Sequence, residues 1–478
     1  MKISIWYGLF AMLLSNHLAA LSITEERVNK AAEIVQQAVE AHGGKEALSK
    51  LNALVIEHRT EGFSVQQSRK PEAPWDKYFS QGTSAIEPAS EVFTSFTSGA
   101  SGGFEFDSGT IINSDASYQV DYRAGTATPI AEPDFSGNSG PFVRVTPALL
   151  LTQLMQRAHT AMYLGEVKHN RAKHSVVSFT MEVGPAISLY FNKKTHMLTH
   201  SERVLPGVGL VEYEFLDYER ISGIAFNKKF QLRVNGDLDQ TRTNISTKIN
   251  QPLVDLTTVD QRLLITDAIG PDELRHEEIA EGVHLIGGSG TYGLFVEMRD
   301  FVVAVGGTGG NESRIEKLRE IVTDKPIRYG VFTHHHSDHV VAVNSYIENQ
   351  AVVVVAEEHE KVIRAAAGKA DINLETVKSK KIISDGSQKV VLLDIGPTAH
   401  TEHLLVAWLP EHSILFEADH FGMPRSGPVR PAVESTRSFA KALKKHKLQP
   451  DIFASAHSPV TASMKDLKDA LKKKPFKR

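Results

Sequence analysis

The sequence predicts a two-domain α/β protein: an α+β domain with a curved antiparallel sheet, then a layered α/β domain. Three observations carry that expectation. Short stretches alternating apolar and polar residues follow one another between Ser175 and Leu232, after a helical start. From Val283 to the C-terminus, strand-like and helix-like stretches alternate. Four histidines and an aspartate fill His334-His335-His336-Ser337-Asp338-His339, between the apolar run Ile327–Phe332 and the helix-compatible run Val340–Ile347. Ligand sites of α/β sheets favour such a strand-to-helix edge.

A chain of 478 residues exceeds one ordinary domain. Hydrophobic residues at 41% and charged residues at 23% are those of a soluble globular protein. With 53 basic against 57 acidic side chains there is no positive field for DNA or RNA, so no nucleic-acid partner is expected. The N-terminus differs from the rest. Lys2, the apolar run Ile3–Leu14 and the small residues ending at Ala20 read as a secretory signal peptide over 1–20. The chain has no cysteine, as suits an oxidising compartment. The expected location is the periplasm or the outside of the cell, with no stable membrane insertion once the leader is cut.

The expected organisation is an N-terminal domain over 22–250, a linker over 251–271 and a second domain over 272–478. Ser22-Ile23-Thr24-Glu25 is a capping box, and Val28, Ala31, Ala32, Val35 and Val39 recur at helical spacing until Gly43-Gly44. A short helix from Lys45 leads into Ala53–His58, which alternates like a half-buried strand. Between about 60 and 145 the chain is rich in Ser, Gly, Thr and Pro. Ser98–Gly103 and Asp134–Pro141 mark loops, and Trp75, Tyr78, Phe79, Phe93 and Phe96 point to strands or a folded-over lid between them. Pro147 opens a helix carrying Leu150, Leu151, Leu154 and Met155. The meander over 175–232 follows, with turn chemistry at Asn192-Lys193-Lys194 and Asn235-Gly236-Asp237. Strands at Gly282–Ile286, Tyr292–Glu297 and Phe301–Val305 open the second domain, and Gly306–Gly310, with no GKS or GKT after it, reads as a turn. Asn311 is placed to cap a helix over Glu312–Ile321.

The histidine cluster has a chemical logic. Side chains two apart in an extended segment point the same way, so His334 and His336 can grip one metal ion. Asp338 and His339 follow the turn and can swing toward a second. Imidazole and carboxylate bind zinc where thiolate is absent, and this chain offers no thiolate. His335 points away from its neighbours. Among the other histidines, His42, His58, His169, His174, His200 and His359 are read as structural.

His334-x-His336-x-Asp338-His339 resembles the signature of the metallo-β-lactamase fold superfamily, over roughly residues 275–460. The resemblance implies an αββα C-terminal fold and further ligands at strand ends. His400 would complete the first metal's set with His334 and His336. His457 would close the second with Asp338 and His339, and Asp419 would bridge the two ions. His403 stands where relatives usually carry glycine; it is the rival of His400 or a group facing substrate. Asp419 occupies the place of the Cys or Ser usual in true β-lactamases, which argues against antibiotic hydrolysis as the main activity. Two departures accompany the match. Ala304-Val305-Gly306 lacks the Asp that in relatives supports the metal loop, and Val341-Ala342 replaces two glycines, which is expected to narrow the floor of the site.

The implied activity is that of a hydrolase with two Zn2+ (Fe or Mn being the alternatives), in which zinc lowers the pKa of a water to about 7 for attack on an ester or lactone. Asp338 is the proton-shuttling candidate. A β-lactam or phosphodiester is the alternative small-molecule substrate. The N-terminal pattern, over roughly 25–250, is similar to the open barrels of outer-membrane lipoprotein carriers. That similarity implies an apolar ligand and, as an alternative, a non-catalytic carrier with a degenerate hydrolase domain. The other reading of the same domain is a structural unit that shapes or covers the active site.

Overall fold

The computed structural model describes residues 22–206, 208–268 and 273–477. The apolar leader over 1–20 lies outside them. Ser22 accepts from the Glu25 amide and Glu25 answers to the Ser22 amide, so the capping box starts the helix Ile23–Ala41. Its buried face is Ala31, Ile34, Val35, Ala38 and Val39.

A sheet of 14 strands dominates the N-terminal domain. All but one of its strands form two antiparallel meanders. One runs from Leu54–Phe63 through Lys77–Glu87, Val92–Ser101, Phe104–Ile112 and Tyr118–Asp121 to Thr126–Pro129. The other runs from Met162–His169 to Asp237–Ile249. They join where the first strand of one pairs with the last strand of the other, Leu54 opposite Ile249. The helices Ile23–Ala41, Phe135–Arg144 and Pro147–Gln156 fill the apolar face, with Leu150, Leu151 and Leu154 packed against Leu54, Phe93, Leu189 and Phe215. The segment expected as a bare linker holds a short helix, Val254–Thr257, and a strand, Leu264–Ile265, that pairs in parallel with Thr126–Ala127.

The C-terminal domain has four layers. A sheet of 7 strands, Arg275–Ala280 to Leu374–Val377, faces one of 6, Lys380–Ser384 to Ala462–Ser463. Leu294, Val305, Val331 and Val354 meet Leu392, Leu405, Phe416 and Ala454 between them. The helices Asn311–Ile321, Val343–Glu348 and Glu360–Ala367 cover one outer face through Ile315, Leu318, Tyr346 and Ile363. Glu434–Lys445 and Met464–Lys472 cover the other through Phe439, Leu443 and Leu467. This is the αββα arrangement, preceded by a domain rich in antiparallel sheet. Asn311 is the first helical residue rather than the cap; Gly310, at φ 80°, stands before it and Asn311 Nδ2 donates to Ser345 Oγ.

Candidate metal centre

The strand Ile327–Val331 ends and His334, His335 and His336 follow in extended chain before the one-turn helix Ser337–Val340. The four histidines of the stretch are all buried. Opposite them, the loop after Lys389–Asp394 brings His400, the end of Ile414–Glu417 brings Asp419, and the end of Ile452–Ser455 brings His457. Glu417, fully buried, accepts from the amides of His420 and Phe421 and so shapes the turn that presents Asp419. Thr398 Oγ1 accepts from the His400 amide and lies 2.9 Å from His420 Nε2.

Two donor groups result. His334, His336, His400 and Asp419 place one ligand atom each within 4.8 Å of one another, as do Asp338, His339 and His457. Asp419 faces both. Its Oδ2 lies 3.2 Å from His334 Nε2 and 3.1 Å from His400 Nε2, while Oδ1 lies 3.0 Å from His339 Nε2 and 3.1 Å from His457 Nε2. His403 does not join them: its Nδ1 lies 2.7 Å from Asp394 Oδ2, and it does not line the cavity at Asp419. Val341 is exposed and Ala342 bonds back to Gly307; neither narrows that cavity.

The site passes a test for metal fit on its own hydrogen bonds. The outward nitrogens of four of the five imidazoles are engaged, His339 Nδ1 being buried without a partner: His400 Nδ1 with Gly102 O at 3.0 Å, His336 Nε2 with Ser68 O at 2.9 Å, His457 Nδ1 with Gly290 O at 3.1 Å, His334 Nδ1 with Thr333 Oγ1 at 3.2 Å. A metal-ligating imidazole is oriented in this way, with one nitrogen held and the other free. His334 Nε2 is buried and makes no hydrogen bond, and His339 Nε2 faces His457 Nε2 at 3.1 Å. Nitrogens crowded on a carboxylate with nothing between them are the donors a cation satisfies. Burial holds the His334 and His336 imidazoles well below their ordinary pKa, which keeps their lone pairs available. Burial opposes charge on Asp419 as well, yet His339, His400 and His457 hold its carboxyl well below the usual range. The contacts with Asp338 and Asp419 overcome burial and push His457 up to about 10.

The N-terminal domain completes this site, and nothing local in the sequence announced it. The loop after Leu54–Phe63 delivers Ser68 O to both His335 and His336, and Gln67 Nε2 donates to Asp338 Oδ1 at 2.8 Å. The hairpin of Val92–Ser101 and Phe104–Ile112 delivers Gly102 O to His400, and the Phe104 ring meets that imidazole edge-on at 5.0 Å. Backbone carbonyls of the other domain thus orient His335, His336 and His400. A cavity of about 520 Å³ opens onto the donors, walled by Gln67, Ser101, Phe104 and Phe106 on one side and Asp338, His400, Asp419 and His457 on the other.

Residues 305–475 match the metallo-beta-lactamase superfamily. The chain carries a metallo-beta-lactamase superfamily domain at its C-terminus. That family is made up mostly of metallo-hydrolases. Among solved structures, the chain is similar to a metallo-beta-lactamase from Pontibacter korlensis at 20% identity and TM-score 0.35, covering 42% of this chain and 98% of that one. It is similar to the metallo-beta-lactamase FIM-1 of Pseudomonas aeruginosa in its mono-zinc form at 20% identity and TM-score 0.34, covering 42% and 96%. It is also similar to the rubredoxin oxygen:oxidoreductase of Desulfovibrio gigas at 16% identity and TM-score 0.36, covering 41% and 60%. No curated protein matches the chain. The metallo-beta-lactamase domain thus has a fold and two His/Asp clusters able to bind metal, with a cavity between it and the N-terminal sheet.

Proposed function

We propose that the chain is an exported hydrolase with a dinuclear metal centre, acting on an ester or lactone with an apolar portion. The division of the two Asp419 oxygens between the imidazole groups carries this reading. His334, His336 and His400 would hold one ion, Asp338, His339 and His457 the other, and Asp419 both. Bound there, a pair of zinc ions supplies a water acidified to near pH 7 and polarisation of the scissile carbonyl; iron or manganese is compatible with the same donors.

The remaining work falls to the chain. Gln67 fixes the Asp338 carboxylate by its Oδ1 and leaves Oδ2 toward His339 and His457, at 3.5 and 3.7 Å. The Asp338 side chain is 51% exposed, at the rim of the site, where a proton taken from the reacting water can pass to solvent. Phe104 and Phe106 wall the cavity opposite the donors, offering an acyl group an apolar surface and displacing water from the reacting carbonyl. The export reading rests on Lys2, the run Ile3–Leu14 and the small residues to Ala20; N-terminal sequencing of the protein from cell fractions tests it, and an intact Met1 in the cytoplasm would exclude it.

The functional test is a panel of aryl and alkyl esters, lactones, β-lactams and phosphodiesters, assayed with the purified chain before and after chelation. Ester or lactone turnover that disappears with a chelator and returns with zinc supports the reading. Turnover confined to β-lactams or phosphodiesters would move the substrate class and keep the centre. Co-purified lipid with no turnover of any substrate would favour a carrier, although helices already fill the apolar face of the N-terminal sheet.

A further inference from the structure

A second group of metal-ligating side chains stands on the N-terminal sheet. It belongs to strands of the second meander, not to the loops that close the metal centre. His200 and Glu214 are direct cross-strand partners on Leu198–Leu205 and Gly209–Ile221, and Tyr190 is the partner of His200 on the next strand. Val211, Tyr213 and Phe215 point into the helix-covered core, so Glu214 points to the opposite face. His200 joins Glu214 there because the register slips between Leu198 and His200; an unbroken strand would have put His200 on the core side with Leu198. His169 comes from the tip of the hairpin Met162–His169/Ala172–Phe179, where Asn170 and Arg171 both take positive φ, and its ring folds over His200 at 4.2 Å between centroids.

His169 Nε2 and His200 Nδ1 both converge on Glu214 Oε1, at 2.5 and 3.0 Å, with all three donor atoms within 4.8 Å of one another. Tetrahedral zinc with bonds near 2.1 Å sets its ligand atoms about 3.4 Å apart, an outward shift of about 0.9 Å for His169 and about 0.4 Å for His200, within reach of a side-chain rotation at the hairpin tip. The surroundings are arranged as they are around a ligating histidine. His200 Nε2 faces Glu202 Oε2 at 3.4 Å, and Glu202 Oε1 accepts from Tyr190 Oη at 2.7 Å, so a carboxylate anchored by a phenol holds one nitrogen and turns the other to Glu214. Asn170 Nδ2 donates to Glu214 Oε2 at 3.2 Å, leaving Oε1 to the histidines. The His200 side chain is 1% exposed, those of Glu214 and His169 12% and 24%, so the group is sunk but open on the His169 side.

We infer that His169, His200 and Glu214 bind a single zinc-type divalent ion that clips the tip of the hairpin Met162–Phe179 onto the strands Leu198–Leu205 and Gly209–Ile221. The ligand set is two imidazoles and a carboxylate, with the fourth position open to water. Its role is structural, and it stands whether or not the other centre hydrolyses anything.

The test is elemental analysis of the full-length chain after metal removal and reloading with zinc alone, on wild type, Glu214→Gln and the double variant His169→Ala/His200→Ala. Glu214→Gln keeps the size of the side chain and guards against a folding defect, checked by circular dichroism. The expected result is a loss of about one zinc per chain in both variants, with ester turnover unchanged and the zinc-induced rise in Tm reduced. A zinc content equal to wild type in folded Glu214→Gln overturns the inference and leaves the group a hydrogen-bonded network. A double variant that fails to fold with or without zinc leaves Glu214→Gln to decide.

Discussion

Asp419 is an acid with 10% of its side chain exposed, whose two oxygens serve two different sets of imidazoles, so removing it acts on both at once. Asp419→Ala is expected to lower metal content and abolish turnover together; full activity in that variant would remove the assignment. Gln67 holds only the outer oxygen of Asp338. Its replacement by Ala is expected to weaken the second ion by roughly 10–100-fold, read by competition with a chromophoric chelator, while the first ion stays. Phe106→Ala should raise KM for esters with apolar acyl groups by about tenfold and leave kcat nearly unchanged, because the ring binds ground state and transition state alike. Residues of the first kind were legible in the sequence, because the His334–His339 spacing is local chemistry and the resemblance supplied the rest. Gln67, Ser68 and Phe104 were not, because their role arises from contacts between distant segments that no local pattern encodes. His403 shows the converse: its place in the motif left open a role toward substrate, but Asp394 takes its Nδ1.

At the scale of elements, the tip of one hairpin decides how the domains meet. Ser98–Gly103 read as a loop; the strand continues to Ser101 and only Gly102-Gly103 turns. Gly103 has φ 82°, and a Cβ there would lie 2.9 Å from Ala399 Cβ, one residue before His400. Gly103→Val should therefore push the tip from His400 and weaken zinc binding by about tenfold, with the melting of the sheet little changed. The bulge beside His200 was equally invisible, since alternation along Met197–Arg203 reads as one unbroken strand. The helix Ile23–Ala41 was legible because its capping box and apolar spacing agree. It ends at His42, whose imidazole is pushed down to about 4 by burial, and burial likewise lowers His58 to about 3. Both are depressed below the unfolded value near 6.5, so their contribution to stability is complete above that pH and is lost as pH falls toward 4. Thermal melts from pH 7 to 4 should show the decline, about 3 kcal/mol for His42 alone, and His58→Leu should flatten part of it. A pH-independent Tm over that range would contradict this.

Over the whole molecule, three sheets meet at the metal centre. The two helix-covered mixed sheets of the C-terminal domain supply the donors; loops of the antiparallel N-terminal sheet supply the carbonyls that orient them. The fold classes were legible because each domain has its own periodicity and its own core. Their docking was not, because it rests on loop and terminal contacts, the Ser68 and Gly102 carbonyls and the Phe104 and Phe476 rings among them, with no periodic signature. Zinc bound at this junction should stabilise both domains in one transition, by about 2.7 kcal/mol at a hundredfold excess over Kd, with Tm rising by several degrees. The most direct test of the central claim is elemental analysis of the purified full chain beside His336→Ala and Asp419→Ala, with ester or lactone turnover measured on the same samples. The account predicts that the two metal ions of this centre, of about three per chain with the one at His169, His200 and Glu214, are lost or severely depleted in the variants, together with activity. Equal metal content in all three proteins would contradict it.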